Sequence, residues 1–208
     1  MERLKPKDLL LVRRLLDLDK PHFGVADLEK VLGQRRPSLY VALHRLVAYG
    51  VLVRLSRGVY QVALKQPDLA RIANALVYPS YLSFESALSR YGILSQVPYA
   101  LSFATPRRSR RLTLGDTLVE YHQLKGPLFF GYTLANGLNL AEPEKALLDQ
   151  LYLIARGGAS LTLQDLDLSR LDRTRLRAYA PAFPPSVQAT AQRLVERRHR
   201  FHARRSST

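Results

Sequence analysis

The chain contains no cysteine, which excludes disulfide bonds and metal sites built on thiolates. No run of about 18 apolar residues is present, so the sequence offers no segment suited to spanning a bilayer. The opening MERLKPKDLL lacks the apolar core of a signal peptide, and no basic amphipathic helix with bulky aromatic residues points to a membrane surface. We therefore expect a cytoplasmic protein without a membrane partner.

Acidic residues are scarce: 17 Asp and Glu stand against 32 Lys and Arg in 208 residues, a formal net charge of +15. The excess lies mainly at the two ends, with 13 basic and 6 acidic side chains in residues 1–65 and 6 against 1 in residues 181–208. A net charge of this size bears on partners rather than on fold. Polyanions are the expected partners.

Motifs for catalysis and for cofactors are missing as well. Neither a Gly-x-x-x-x-Gly-Lys nor a Gly-x-Gly-x-x-Gly phosphate loop occurs. His122 stands alone in a predicted strand, and His199 and His202 lie among arginines that would oppose a metal cation. We expect no cofactor, no metal site and no enzymatic activity.

Residues 34–62, QRRPSLYVALHRLVAYGVLVRLSRGVYQV, carry the clearest pattern. Apolar residues recur with the period of a helix that has one buried stripe. Pro37 suits the first helical turn, and Gly50 suits the left-handed position that closes a helix. The apolar stripe consists of Leu39, Leu43, Leu46 and Val47.

The remaining face of this helix is polar and basic, and two β-rich runs follow it at 51–55 and 59–62, with a tight turn between them. Helices are predicted upstream at 8–18 and 24–32. This order predicts a winged helix-turn-helix domain over residues 1–65, in which the third helix enters the major groove of DNA. The predicted DNA-binding residues are Arg35, Arg36, Ser38, Tyr40, His44 and Arg45 on the helix, and Arg54 and Arg57 on the wing.

Other arrangements remain compatible with this stretch. Helix-turn-helix geometry is common in packed helical proteins, and an exposed Arg is often merely solvated. Tyr40 and His44 could instead be partly buried. Element order, basic face and basic wing tip together favour nucleic acid.

Residues 66–200 predict a second, mixed α+β domain, so the fold class is α+β. Helices are expected at 68–77, capped by Asp68, and from Ser83 to Gly92. Strands at 99–105, 118–124 and 128–134 predict a small antiparallel sheet. Further helices are expected at 139–154, 165–179 and 185–200, before a basic tail at 201–208.

Several segments in this order resemble the AbiEi family of antitoxins from type IV toxin–antitoxin systems. They are the N-terminal winged helix, YPSYLSFESALSRYG, FATPRRSRR, LFFGYTL and LAEPEKALLDQLY. The resemblance spans roughly residues 5–160. It implies a repressor that binds the operator of its own operon through the winged helix. It also implies a C-terminal domain that counters a nucleotidyltransferase-like toxin without forming a stable complex with it.

A second polyanion site is predicted at the turn that holds Arg107, Arg108, Arg110 and Arg111, because four cations within five residues repel one another and favour solvent exposure. A simple solvated loop explains the same pattern.

Two alternatives to the antitoxin function stay open. The first is a DNA-targeted nuclease, which needs clustered carboxylates for a divalent ion. Its candidate groups are Asp116 and Glu120 with Lys125, or Glu142 and Glu144 with Lys145. The second is a general nucleic-acid-binding protein driven by charge alone.

Overall fold

The computed structural model describes residues 6–158 and 166–205. This part of the chain mixes helices and strands, so the predicted α+β class is confirmed. The chain divides into two compact units. The first runs to Ala73 and includes Thr113–Thr117; the second comprises Asn74–Leu112 and the residues from Leu118 onward.

Three helices form most of the first unit: α1 (Pro6–Asp17), α2 (Val25–Leu32) and α3 (Arg36–Ala48). They lie where the apolar periodicity predicts helices. The helix α2 ends at Gly33, whose φ of +61° is left-handed and whose N–H donates to the Glu29 carbonyl at 3.0 Å.

A three-stranded antiparallel sheet completes this unit, with the order β1 (Phe23–Gly24), β3 (Val59–Val62), β2 (Leu52–Ser56). The β2–β3 hairpin confirms the two predicted runs, whereas β1 was not predicted because two residues show no alternation. The side chains buried to 1% or less in this core are Leu15, Phe23, Leu28, Leu39, Leu43, Leu46 and Leu52.

The helix α4 (Leu69–Leu76) precedes the larger sheet, and α5 (Phe84–Arg90) follows the first strand of that sheet. Asp68 caps α4 as predicted, since its Oδ1 accepts a hydrogen bond from the Arg71 N–H at 3.0 Å. Ser83 occupies the cap position of α5, but its hydroxyl makes no hydrogen bond to the first turn.

The second unit contains a six-stranded sheet with the order β6-β7-β5-β4-β9-β8. The strands are β4 (Tyr81–Leu82), β5 (Ala100–Thr105), β6 (Arg110–Leu114), β7 (Thr117–Gln123), β8 (Tyr132–Ala135) and β9 (Leu138–Ala141). The predicted antiparallel sheet is wrong, because β5 pairs with β7 and β4 with β9 in parallel. The strand predicted over 128–134 is also wrong: Gly126–Leu128 forms a 3-10 turn, and β8 starts only at Tyr132.

Three helices follow: α6 (Pro143–Ala155), α7 (Arg173–Tyr179) and α8 (Pro185–Arg205). The helix predicted from residue 139 starts four residues later because Leu138–Ala141 belongs to β9. Its Pro143 lies in the first turn as predicted. Residue 165 of the predicted helix 165–179 and residues 206–208 of the tail lie outside the described residues. No helix within 6–158 or 166–205 has both the length and the apolar character that a bilayer crossing requires.

Candidate nucleic-acid interface

The polar face of α3 is open to solvent. Leu39, Leu43 and Leu46 are each buried to 1% or less, so this stripe fixes which side of α3 meets the core. Tyr40 is 52% exposed and His44 is exposed, so neither belongs to the core. The other predicted contacts that are exposed on this helix and its cap are Arg35, Arg36 and Ser38.

Two arginines lie at the N-terminal end of α3. Arg35 is the cap residue and makes no side-chain hydrogen bond to the first turn, and Arg36 begins the helix. Unpaired backbone N–H groups make this end of a helix partly positive, so a cation there destabilises the helix by about 0.3–1 kcal/mol. Arg36 Nε lies 3.8 Å from Glu29 Oε2, with 71% of the Arg36 side chain exposed. An external anion such as phosphate would offset the repulsion between these arginine cations and the positive end of α3.

Arg45 differs from the other predicted contacts. Its Nη2 donates to Asp8 Oδ1 at 3.1 Å, and the Asp8 side chain is only 4% exposed while that of Arg45 is 29% exposed. The guanidinium therefore links α3 to α1 and supports the fold. Its remaining exposed area still borders the polar face of α3.

The β2–β3 hairpin presents the other two predicted arginines. Arg54 and Arg57 are both exposed, and Arg54 Nε donates to the Ser56 carbonyl at 3.4 Å. The ladder is irregular between Arg54 and Ser56, and Gly58 closes the turn with a left-handed φ of +75°. The hairpin tip thus carries positive charge into solvent.

Comparison with known proteins does not identify this chain. No family model and no curated protein matches it. Its function must therefore be argued from its own geometry and charge.

The second predicted polyanion site divides into two pairs. All four arginines are exposed, as predicted, but β6 begins at Arg110, so the turn itself is shorter than the predicted one. Arg111 Nε lies 2.7 Å from Glu120 Oε1. Arg110 donates to the Leu76 carbonyl at 3.3 Å and lies 5.5 Å from the centroid of the Tyr121 ring.

The other pair, Arg107 and Arg108, is exposed in the turn before β6. Neither side chain has a hydrogen-bond or ion-pair partner among the described residues. This pair is therefore available to a ligand, whereas Arg110 and Arg111 are held against the sheet.

Sequence analysis missed a buried charged cluster in the second unit. Lys145 and Asp149 lie one turn apart on α6, are both 0% exposed and form a direct ion pair. Lys145 Nζ also donates to Tyr81 Oη at 2.8 Å, and Asp149 Oδ2 accepts from Ser83 Oγ at 2.8 Å and from Tyr81 Oη at 3.1 Å. Burial lowers the pKa of the Lys145 ammonium and raises the pKa of the Asp149 carboxyl, although their mutual attraction opposes both shifts.

Aromatic rings and a glycine enclose the Lys145 ammonium. The ring centroids of Phe130 and Phe183 lie 5.1 and 5.2 Å from Nζ. Gly131 has a φ of +68°, and a Cβ there would approach the Lys145 side chain to 3.1 Å. Both charged side chains are fully buried, and their bonds to Tyr81 and Ser83 join α6 to β4 and to the cap residue of α5. Its only signal in the sequence is a Lys and an Asp four residues apart within an apolar helix.

Three of the four carboxylates proposed for the nuclease alternative, Glu120, Glu142 and Glu144, have structural partners, and the fourth, Asp116, is exposed. Glu142 accepts a hydrogen bond from Tyr179 Oη and lies 3.7 Å from Arg175 Nη1. Glu144 Oε1 accepts from the Asp172 N–H at 2.6 Å. These bonds tie α6 to α7. Within the described residues, no three His, Asp or Glu side chains are grouped as a metal ion would require.

His122 lies on β7 against the Phe84 ring, with centroids 5.0 Å apart in an edge-on arrangement. Its Nε2 is 3.5 Å from Glu120 Oε2. Burial lowers the pKa of this imidazole, and the nearby Glu120 carboxylate only partly opposes the shift. His122 is thus a packed side chain with a polar neighbour, and Glu120 is shared between it and the cation at position 111.

Proposed function

We propose that this protein is a DNA-binding transcriptional repressor whose first unit is a winged helix-turn-helix. The observation that supports it most directly is the exposed basic face of α3 beside a basic hairpin, with no carboxylate paired to Arg35, Arg54 or Arg57 among the described residues. The element order α1-β1-α2-α3-β2-β3 of that unit supports this proposal.

In this proposal α3 enters the major groove. Residues at the start of a recognition helix contact base edges, which assigns direct readout to Arg36, Ser38 and Tyr40. Arg35, at the cap, then lies closest to the phosphates. Arg45 contributes only with the part of its guanidinium that Asp8 leaves exposed.

The β2–β3 hairpin would contact the DNA backbone that flanks the major-groove site. Arg54 and Arg57 would contact phosphates and not base edges, so they would add affinity for DNA with little sequence preference. Replacing Arg57 by Ala should reduce the slope of log affinity against log salt by about 0.9.

The antitoxin role is the second part of the proposal, and it is supported by the resemblance to the AbiEi family. In it the protein represses its own operon and counters a nucleotidyltransferase-like toxin without a stable complex, and it is not itself an enzyme. Co-expression with a nucleotidyltransferase encoded beside it tests this part, because growth should be rescued by the wild-type chain alone.

Binding of a duplex from the protein's own upstream region tests the first part. Fluorescence anisotropy with the wild-type chain should give binding at least about a thousandfold tighter than to a shuffled duplex. The variant Arg35→Ala/Arg36→Ala should lose about 1–3 kcal/mol for each base contact removed. The matched control is Arg13→Ala/Lys30→Ala, which removes two exposed cations from α1 and α2.

The outcomes separate the proposal from its alternatives. Equal affinity for both duplexes, with a steep salt dependence, would indicate a general nucleic-acid-binding protein. Cleavage of either duplex after addition of Mg²⁺ would indicate a nuclease. Equal losses in the two double variants would show that bulk charge, and not the face of α3, governs binding.

A further inference from the structure

A polar groove crosses one side of the second unit. It consists of two neighbouring cavities, of about 240 and about 360 Å³, that both have Tyr152 and Arg156 in their walls. We call it the Arg156 groove. Its polar lining residues are Ser109, His122, Gln123, Lys125, Tyr152, Arg156 and Ser186.

The charged side chains that line this groove, among the residues that the structure describes, are basic. Lys125 and Arg156 are both exposed, and no Asp or Glu lines either cavity. Arg156 Nη1 donates to the neutral Tyr152 Oη at 3.1 Å, so this contact orients the guanidinium without cancelling its charge. Lys125 has no ion-pair or hydrogen-bond partner for its ammonium among the described residues. A concave surface lined by one sign of charge concentrates the electrostatic field.

Arg107 and Arg108 extend the same positive surface. They directly precede Ser109, whose Oγ accepts a hydrogen bond from the Gln123 N–H at 2.9 Å. This bond holds the arginine turn to β7 at the edge of the groove. Arg107 and Arg108, whose side chains have no hydrogen-bond or ion-pair partner within 6–158 and 166–205, thus adjoin the lining residue Ser109, while Arg110 and Arg111 are engaged with the sheet.

We propose that the Arg156 groove binds a single strand of nucleic acid through its phosphates. Duplex DNA is read by convex elements that enter its grooves, whereas single strands lie in positively charged channels that follow the backbone. Cations at Arg107, Arg108, Arg156 and Lys125 provide such a channel. The Tyr152 ring is only 6% exposed and cannot stack on a base, so binding has little base preference. The proposal is independent of duplex recognition by the first unit.

The experiment uses the full chain and labelled oligonucleotides of about twelve nucleotides, oligo-U and oligo-dT, with anisotropy measured across a salt series. The variant Lys125→Gln/Arg156→Gln should bind both at least about tenfold more weakly, with a salt slope smaller by about 1.4 for two lost phosphate contacts. The matched control, Arg90→Gln/Arg177→Gln, removes two exposed cations of the same unit that lie outside the groove. It should stay within about twofold of the wild type.

A second variant covers the case in which loss of the Arg156–Tyr152 bond disturbs the fold. Arg107→Ser/Arg108→Ser alters no described side-chain contact and should also weaken strand binding several-fold. Wild-type affinity in both groove variants would overturn the proposal. An equal loss of single-strand affinity in the control variant would also overturn it. So would equally tight binding of a duplex of the same length, if the groove variants weaken that binding as well. Operator binding measured in parallel keeps this result separate from the repressor proposal, which predicts that both groove variants still bind the operator.

Discussion

Arg45 Nη2 donates a hydrogen bond to Asp8 Oδ1 at 3.1 Å, and Asp8 is 3% exposed. The bond connects the helix that we propose reads DNA to the first helix of the same unit. A residue chosen from the sequence as a DNA contact therefore also neutralises a buried carboxylate.

Arg45→Ala should destabilise the protein by about 1–3 kcal/mol, because it leaves the Asp8 charge without this partner; the partial exposure of Arg45 keeps the loss below that of a fully buried pair. Urea unfolding measures it. The neighbouring exposed His44→Ala should change stability by less than about 0.5 kcal/mol. Loss of DNA binding without loss of stability would contradict the structural role of Arg45.

Arg35→Asp should stabilise the protein by about 0.5–2 kcal/mol and weaken operator binding. Asp is a favoured cap residue whose carboxylate accepts hydrogen bonds from the first turn, and its charge suits the positive end of α3. Denaturant unfolding and anisotropy measure the two effects. Arg13→Asp on α1 makes the same charge change away from a helix end and should not stabilise. A destabilised Arg35→Asp variant would show that Arg35 supports the fold.

Lys145→Met and Asp149→Leu should each destabilise by about 3–5 kcal/mol, because each leaves one buried charge unpaired. The double variant should lose clearly less than the sum of the two, since it removes both charges together. A double-mutant cycle from chemical unfolding measures the coupling. Additive losses would mean that the two side chains do not stabilise each other.

The stability of the protein should fall as pH decreases from about 6.5, partly through His122. Burial lowers the pKa of this imidazole in the folded state, so the unfolded chain takes up the proton first. The stabilising contribution of neutral His122 is fully present above the unfolded-state pKa of about 6.5 and is lost as the pH falls toward its lower folded-state pKa. His122→Gln should flatten the stability profile between about pH 7.5 and 5. His44→Gln serves as the exposed control, and an unchanged profile in His122→Gln would contradict the assignment.

The local features of the fold could be predicted from the sequence. Pro37 and the glycines at 33 and 50 mark helix ends through single-residue backbone geometry, and Leu39–Leu43–Leu46 gives a period that only a helix buries. The exposed face of α3 follows from the same period. For this reason the exposure of Arg35 and Arg36 could be predicted, whereas Tyr40, for which partial burial was the alternative, proves to be exposed.

The remaining features depend on contacts distant in sequence. The strand β4 has two residues and shows no pattern, and the parallel pairing of β5 with β7 is not encoded in either strand alone. Lys145 and Asp149 have the spacing of an ordinary surface ion pair, and only contacts distant in sequence, such as those of Lys145 with Tyr81, Phe130 and Phe183, reveal their burial. The different surroundings of Arg107 and Arg108 on one side and Arg110 and Arg111 on the other likewise depend on β6. This strand lies beside β7 and so brings Arg111 next to Glu120.

The enclosed Lys145–Asp149 pair also limits how this fold can diverge. Losing either partner first passes through an unstable intermediate, so a lineage can abandon the pair only by two nearly simultaneous substitutions, and the glycine at 131 must remain while the lysine does. Descendants should therefore keep these positions even where their exposed arginines change. Conservation of Lys145, Asp149 and Gly131 would then reflect the stability of the fold, whereas substitutions among the exposed arginines would reflect changes in function.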